Sequence, residues 1–117
     1  MTKRPQELEE RTALFAEDVR TLVRQRPRTL SNIEDVKQLV RASGSVAANC
    51  IEADEALGPQ DRLMHFRICR KEAKECQLWL RLVYTGENLC IHTRRLSLGQ
   101  EALELKLIFT AIIKKLE

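Results

Sequence analysis

A chain of 117 residues, 44% hydrophobic and 32% charged, is long enough for one packed core and too apolar to be disordered. Four Gly and three Pro leave few turn signals, which argues against a β-sandwich or barrel. The net charge of +3 is too small to mark a nucleic-acid binder by itself, and no apolar run reaches the roughly 18 residues of a membrane span.

Helical spacing of apolar residues divides the chain into four segments. The first, residues 6–26, sets Leu8, Thr12, Phe15, Val19 and Leu22 at alternating steps of four and three. Pro27 stops it, because proline has no N–H for the ladder and restrains the residue before it. Glu7, Glu9 and Glu10 in its first turn and Arg24 and Arg26 in its last suit the helix dipole. The second segment, residues 29–57, carries an unbroken seam of period 3.5: Asn32, Val36, Leu39, Ser43, Val46, Cys50, Ala53 and Leu57. Thr29 or Ser31 caps its start, with Glu34 placed for a capping box. Gly58-Pro59 closes it, the glycine suited to a left-handed cap. The third segment, residues 60–84, has its seam at Phe66, Cys69, Ala73, Cys76, Leu80 and Val83. Thr85-Gly86-Glu87-Asn88 is a break, and residues 87–97 read equally as a helical extension or a loop. The fourth, residues 98–116, repeats the pattern at Leu98, Ala102, Leu105, Phe109, Ile112 and Leu116. Four such segments with short connections specify an all-α, antiparallel up-down-up-down four-helix bundle, one domain over residues 1–117.

Two segments are apolar on more than one flank. Ile68, Leu78, Trp79 and Leu82 lie beside the third seam, and Leu103, Leu107, Ile108 and Ile113 beside the fourth, more than one core stripe needs. These eight define an expected self-association surface with Trp79 as its anchor. The other reading is a core stripe wide enough to cover Trp79. In the second segment the small residues from Ala42 to Asn49 include a helix-interior Gly44, which costs about 1 kcal/mol relative to Ala. That fits a tight helix crossing with serine hydroxyls bonded to the preceding turn. Asn49, Glu52, Glu72 and Glu75 fall toward the interior. With Arg41, Lys71 or Arg81 as partners they form an expected buried polar network that sets helix register.

No catalytic constellation stands out. Neither His65 nor His92 follows a glutamate by three, as a di-iron bundle requires. His65 with Cys69, and Cys90 with His92, offer zinc ligands at a spacing that matches no finger. Cys50, Cys69, Cys76 and Cys90 form no CxxC pair and read as small buried hydrophobes. The expectation is a protein that is not an enzyme and has no cofactor, no metal and no small-molecule substrate. The polar opening residues lack an export signal, so the expected location is cytoplasmic, without membrane contact.

Charge is unevenly distributed. Residues 29–57 hold two basic and five acidic residues, residues 58–85 six and three, and residues 1–28 seven and five. A basic side built from the first and third helices is therefore expected. Its candidate nucleic-acid contacts are Arg20, Arg24, Arg26 and Arg28, and Arg62, Arg67, Arg70 and Lys74. The other reading of these eight is a solvated face of ion pairs.

The runs QLVRASGSVAANCIEADEAL (Gln38 to Leu57) and CRKEAKECQLWLRLV (Cys69 to Val83) resemble the four-helix bundle proteins related to those encoded in the intervening sequences of bacterial 23S ribosomal RNA. So do the opening LEERTALFAEDVRTLVRQRPRT and the closing EALELKLIFTAIIKKL, which extends the likeness over nearly the whole chain. Its pattern is Gly44-Ser45, Ala48-Asn49, Glu52-Ala53, Lys71-Glu72-Ala73, Glu75 and Trp79-Leu80. Cys50 departs from it, since relatives often carry Tyr there. The resemblance implies a ring-like homopentamer in the bacterial cytosol, with no enzymatic activity attached. It extends to the accessory variability proteins of diversity-generating retroelements, basic pentamers that bind reverse transcriptase and nucleic acid. Two functions follow as expectations: a homo-oligomer that binds RNA, DNA or a nucleoprotein, or a protein-only scaffold.

Overall fold

A computed structural model describes residues 4–27 and 29–117. Among the described residues there are four α-helices and no strands: α1 (Arg4–Gln25), α2 (Leu30–Asp54), α3 (Pro59–Leu82) and α4 (Leu89–Leu116). Each packs on its neighbour in sequence, and α1 closes the ring against α4, while the backbones of the diagonal pairs α1–α3 and α2–α4 stay apart. The result is an antiparallel square bundle of 46 × 26 × 19 Å. At about 1.5 Å per residue, α4 alone runs nearly its full length.

The seams meet along the bundle axis. Phe15, Val19, Leu22, Leu39, Val46, Cys50, Phe66, Cys69, Leu80, Leu105 and Phe109 are all buried, and Phe66 and Phe109 pack with ring centroids 6.1 Å apart. The α4 seam departs from its expected path. Ile113, placed by its sequence on the self-association surface, is a core residue at 1% exposure, whereas Leu116 is at 36% and Ile112 is half-buried. A straight helix turns 3.6 residues per turn, so a strict 3.5 repeat drifts off the axis and the last turns present Ile113 instead.

Helix ends also differ from expectation. α2 stops at Asp54, leaving Leu57 wholly exposed at 101%. Gly58 does not cap α2; with φ −157° and ψ 169° it is the extended N-cap of α3, with Pro59 in the first turn. Thr29 caps α2 by accepting from Asn32 N at 3.2 Å. The segment left open between loop and helix is helical: Asn88 Oδ1 accepts from Ile91 N at 3.1 Å and starts α4 nine residues before Leu98. Gly86 takes φ +69° in the preceding turn, against Pro27 of the opposite loop.

Asn32 ties those two loops together. It is fully buried; its Nδ2 donates to Pro27 O (2.9 Å) and Tyr84 O (2.7 Å), and its Oδ1 accepts from Tyr84 N (2.7 Å).

Candidate functional site

A polar ladder runs along the α2–α3 flank. Arg41 Nη1 lies 3.2 Å from Glu72 Oε2 and its Nη2 lies 2.8 Å from Glu75 Oε1, while Ser45 Oγ donates to Glu72 at 3.3 Å. Asn49 Nδ2 donates to Ser45 O at 3.0 Å, and its Oδ1 meets His65 Nδ1 at 2.9 Å. His65 Nε2 is 3.4 Å from Asp61. Of the expected network, Glu72 is buried and Asn49 and Glu75 are half-buried. Glu52 is exposed and takes no part, because its helical rotation past Asn49 turns it outward. Arg41 serves as the partner that binds both Glu72 and Glu75.

On the opposite flank of the bundle, Arg11 of α1 grips α4. Its Nε and Nη2 each lie 2.7 Å from the two oxygens of Glu101, and Nη2 reaches Glu104 at 3.0 Å. The Glu101 hydrogen bonds, outweighing desolvation, hold this guanidinium above its ordinary pKa. No periodicity announces a pair ninety residues apart, so these three residues were not legible in the sequence.

These clamps sort the charges. α3 holds six basic and three acidic residues, and all three acids, Asp61, Glu72 and Glu75, face the α2 flank. α4 holds five basic and two acidic residues, and both acids are bonded to Arg11 of α1. The α3–α4 side is left with an excess of cations. Arg67, Arg70, Lys74 and Arg81 step along one flank of α3, and Arg67 fixes that flank against α4 through Glu117 at 2.8 Å. α1 has four basic and five acidic residues and α2 two and four. The basic side is therefore α3 with α4. The expected pairing of the first and third helices fails because those helices stand diagonally across the bundle and do not lie side by side.

The expected self-association residues divide among several settings. Leu78, Leu82 and Leu107 are about half exposed, at 47, 49 and 55%. Leu103 is half-buried and lies on the α4 flank that leads to Glu117. Ile68, Trp79 and Ile108 are also half-buried; Trp79 and Ile108 pack against the core, and Trp79 Nε1 is buried without a partner.

The basic candidates occupy three different settings. Arg62 lies over the Phe66 ring at 5.7 Å; Arg70 is half-buried and Lys74 exposed. Arg20 lies across the α1–α2 crossing, donating to Ala16 O at 2.8 Å and 3.5 Å from Ser43 Oγ, with its Nη2 over Gly44. Arg24 is exposed, and Arg26 donates to Val23 O at 2.8 Å beyond the end of α1. Arg28 lies outside the described residues. The helical start of α4 adds two cations that sequence reasoning passed over: Arg94, which donates to Gln25 Oε1 at 2.5 Å, and Arg95, which donates to Val83 O at 3.2 Å.

The remaining reactive groups are dispersed. His65 and Cys69 lie toward the start of α3 and Cys90 and His92 at the start of α4, at opposite ends of the bundle. Among the described residues no three His, Cys, Asp or Glu side chains converge as a metal site would require. Cys50, Cys69 and Cys76 are buried, and burial pushes the Cys50 and Cys76 thiols up to about 12, which makes them unreactive. Cys90 is exposed, contrary to expectation, because the first turns of α4 have little packed against them. It lines an open trough of about 640 Å³ between α1 and α4, with Asp18, Thr21 and Arg94. No described helix is long and apolar enough to cross a membrane.

Among the described residues the fold is a square all-α four-helix bundle whose charges are divided between helix pairs. The chain belongs to the 23S rRNA-intervening sequence protein family, whose model matches residues 6–110. A solved structure from the S23 ribosomal protein family of Bacteroides thetaiotaomicron VPI-5482, a protein of unknown function, has the same fold. It superposes with a TM-score of 0.72 at 25% identity, covering 94% of this chain and 97% of that one. No curated protein matches this chain significantly.

Proposed function

We propose that this chain is a non-enzymatic cytoplasmic bundle that works as a homo-oligomer, pentameric as its resemblance implies, and binds nucleic acid through the surplus positive charge of the assembled particle. The observation that carries this reading is the division of charge between helix pairs. α3 and α4 are both basic and expose leucines, while α1 and α2 are both acidic. The basic, leucine-bearing side of one copy suits the acidic side of the next. Such a contact joins two different faces, so it repeats head to tail and can close into a ring. Burying the leucines supplies the drive, and the opposed charges set the register. Each copy keeps its +3, so fivefold repetition gives a particle of +15. A field of that size attracts a phosphate backbone.

Native mass measurement tests the assembly, and titration with RNA at several salt concentrations tests the binding. The expected results are a particle of several copies, reduced to monomers by Leu103→Asp with Leu107→Asp, and an affinity that falls steeply as salt rises. A monomer at all concentrations overturns the assembly. An assembled particle indifferent to nucleic acid leaves a protein-only scaffold.

A further inference from the structure

At the bundle end where α1 stops and α4 starts, several guanidiniums stand outside any ion pair, although Asp18 lines the same trough as Arg94. Arg24, Arg26, Arg94 and Arg95 meet there. Arg26, Arg94 and Arg95 bond only to neutral partners: the Val23 carbonyl, the Gln25 amide, and the Val83 carbonyl with the His92 ring. Among the described residues none of the four forms an ion pair, whereas Arg11, Arg41 and Arg67 elsewhere all do. If the sides of the bundle join copies, this end faces outward on a ring, and it is repeated once per copy.

One aromatic residue stands at that end. Tyr84 is 53% exposed, while Phe15, Phe66 and Phe109 are all buried in the core. Its backbone is held at both N–H and carbonyl by the buried Asn32, at 2.7 Å each. The ring is thus presented to solvent from a fixed backbone, one residue from the Val83 carbonyl that Arg95 caps. An exposed aromatic on the same bundle end as guanidiniums outside any ion pair is the chemistry that holds an unpaired base and its neighbouring phosphates. A duplex, with its bases stacked inside, offers that ring nothing to stack on.

We infer that this end of the bundle binds single-stranded nucleic acid, with Tyr84 stacking on a base and Arg24 and Arg94 meeting phosphates on either side. This rests on the nucleic-acid reading above and names the strand class and the residues. The test uses the intact protein and a labelled oligouridine RNA, with a duplex of equal length beside it. Tyr84→Ala is expected to weaken binding of the single strand roughly tenfold without changing the slope of affinity against salt, and Tyr84→Phe to retain it. Arg94→Ala is expected to flatten that slope. Asn32 meets Tyr84 through the tyrosine's backbone alone, so the tyrosine variants keep the fold, which a thermal melt checks. Tighter binding of the duplex, or single-strand affinity untouched by Tyr84→Ala and lost only with Arg70 and Lys74, overturns this inference and leaves the nucleic-acid reading standing. Absence of binding to any RNA or DNA overturns both.

Discussion

Asn32 holds more of this fold than its place in an apolar seam suggests. Its side-chain amide satisfies two carbonyls and one N–H from two loops that are remote from each other in the chain. Asn32→Ala leaves those groups unpaired, and chemical denaturation is expected to show a loss of about 2–4 kcal/mol. Asp54 is the second residue with consequences beyond its element. Desolvation first, then the facing carboxylate of Glu9, pushes its carboxyl up to about 7, and its Oδ2 is buried without another partner. Arg62 opposes the shift and Glu55 adds to it. The folded protein therefore keeps a proton that the unfolded chain has lost once pH passes the ordinary carboxylate value of 3.8. The stability gained is present below that pH and is lost as pH rises through about 7. Melting temperatures are expected to fall between about pH 4 and pH 7, and Asp54→Asn is expected to remove most of that fall. Periodicity found Asn32 as a core position, but neither role was legible, because each is a contact between segments.

At the scale of elements, Gly44 shows what a small residue does at a helix crossing. A Cβ there would meet Arg20 Nη2 at 3.3 Å, the mobile end of a long side chain, and nothing firmer. Gly44→Ala is therefore expected to raise stability by up to about 1 kcal/mol, as the glycine penalty is removed and the guanidinium shifts. Of the crossing read from the sequence, the serine bond to the preceding turn is present, with Ser43 Oγ donating to Val40 O at 3.1 Å, but the end of Arg20 and not a neighbouring backbone lies over Gly44; Ser45 instead reaches across to Glu72. Seams in α1, α2 and α3 were readable almost residue by residue, because a helix that must bury one stripe repeats its apolar side chains at the helical period. The start of α4 was not. Leu89, Cys90, Thr93, Arg94 and Leu96 are exposed, so burial imposes no period there, and the Asn88 cap alone marks the beginning.

For the whole molecule the deciding feature is which helices become neighbours. In the proposed homo-oligomer, charge division between α1–α2 and α3–α4 supplies an electrostatic component that salt screens, and the exposed leucines supply an apolar one that it does not. Sedimentation at rising salt is expected to show weakened yet persistent assembly, while Leu107→Asp dissociates it at any salt; the reverse pattern would remove the leucines from the interface. The sequence by itself determined the class of fold, the four helices and nearly every core position, since those follow from local periodicity and from proline and glycine breaks. It also held the family pattern. Only the tertiary structure decided that α1 and α3 stand diagonally, that Arg11 and Arg41 draw the acids of α4 and α3 away from their shared side, and that Arg94, Arg95 and Tyr84 gather at one end. Those facts depend on distances between segments remote in the chain, and a one-dimensional pattern carries the repeat along a helix but not its azimuth toward a neighbour.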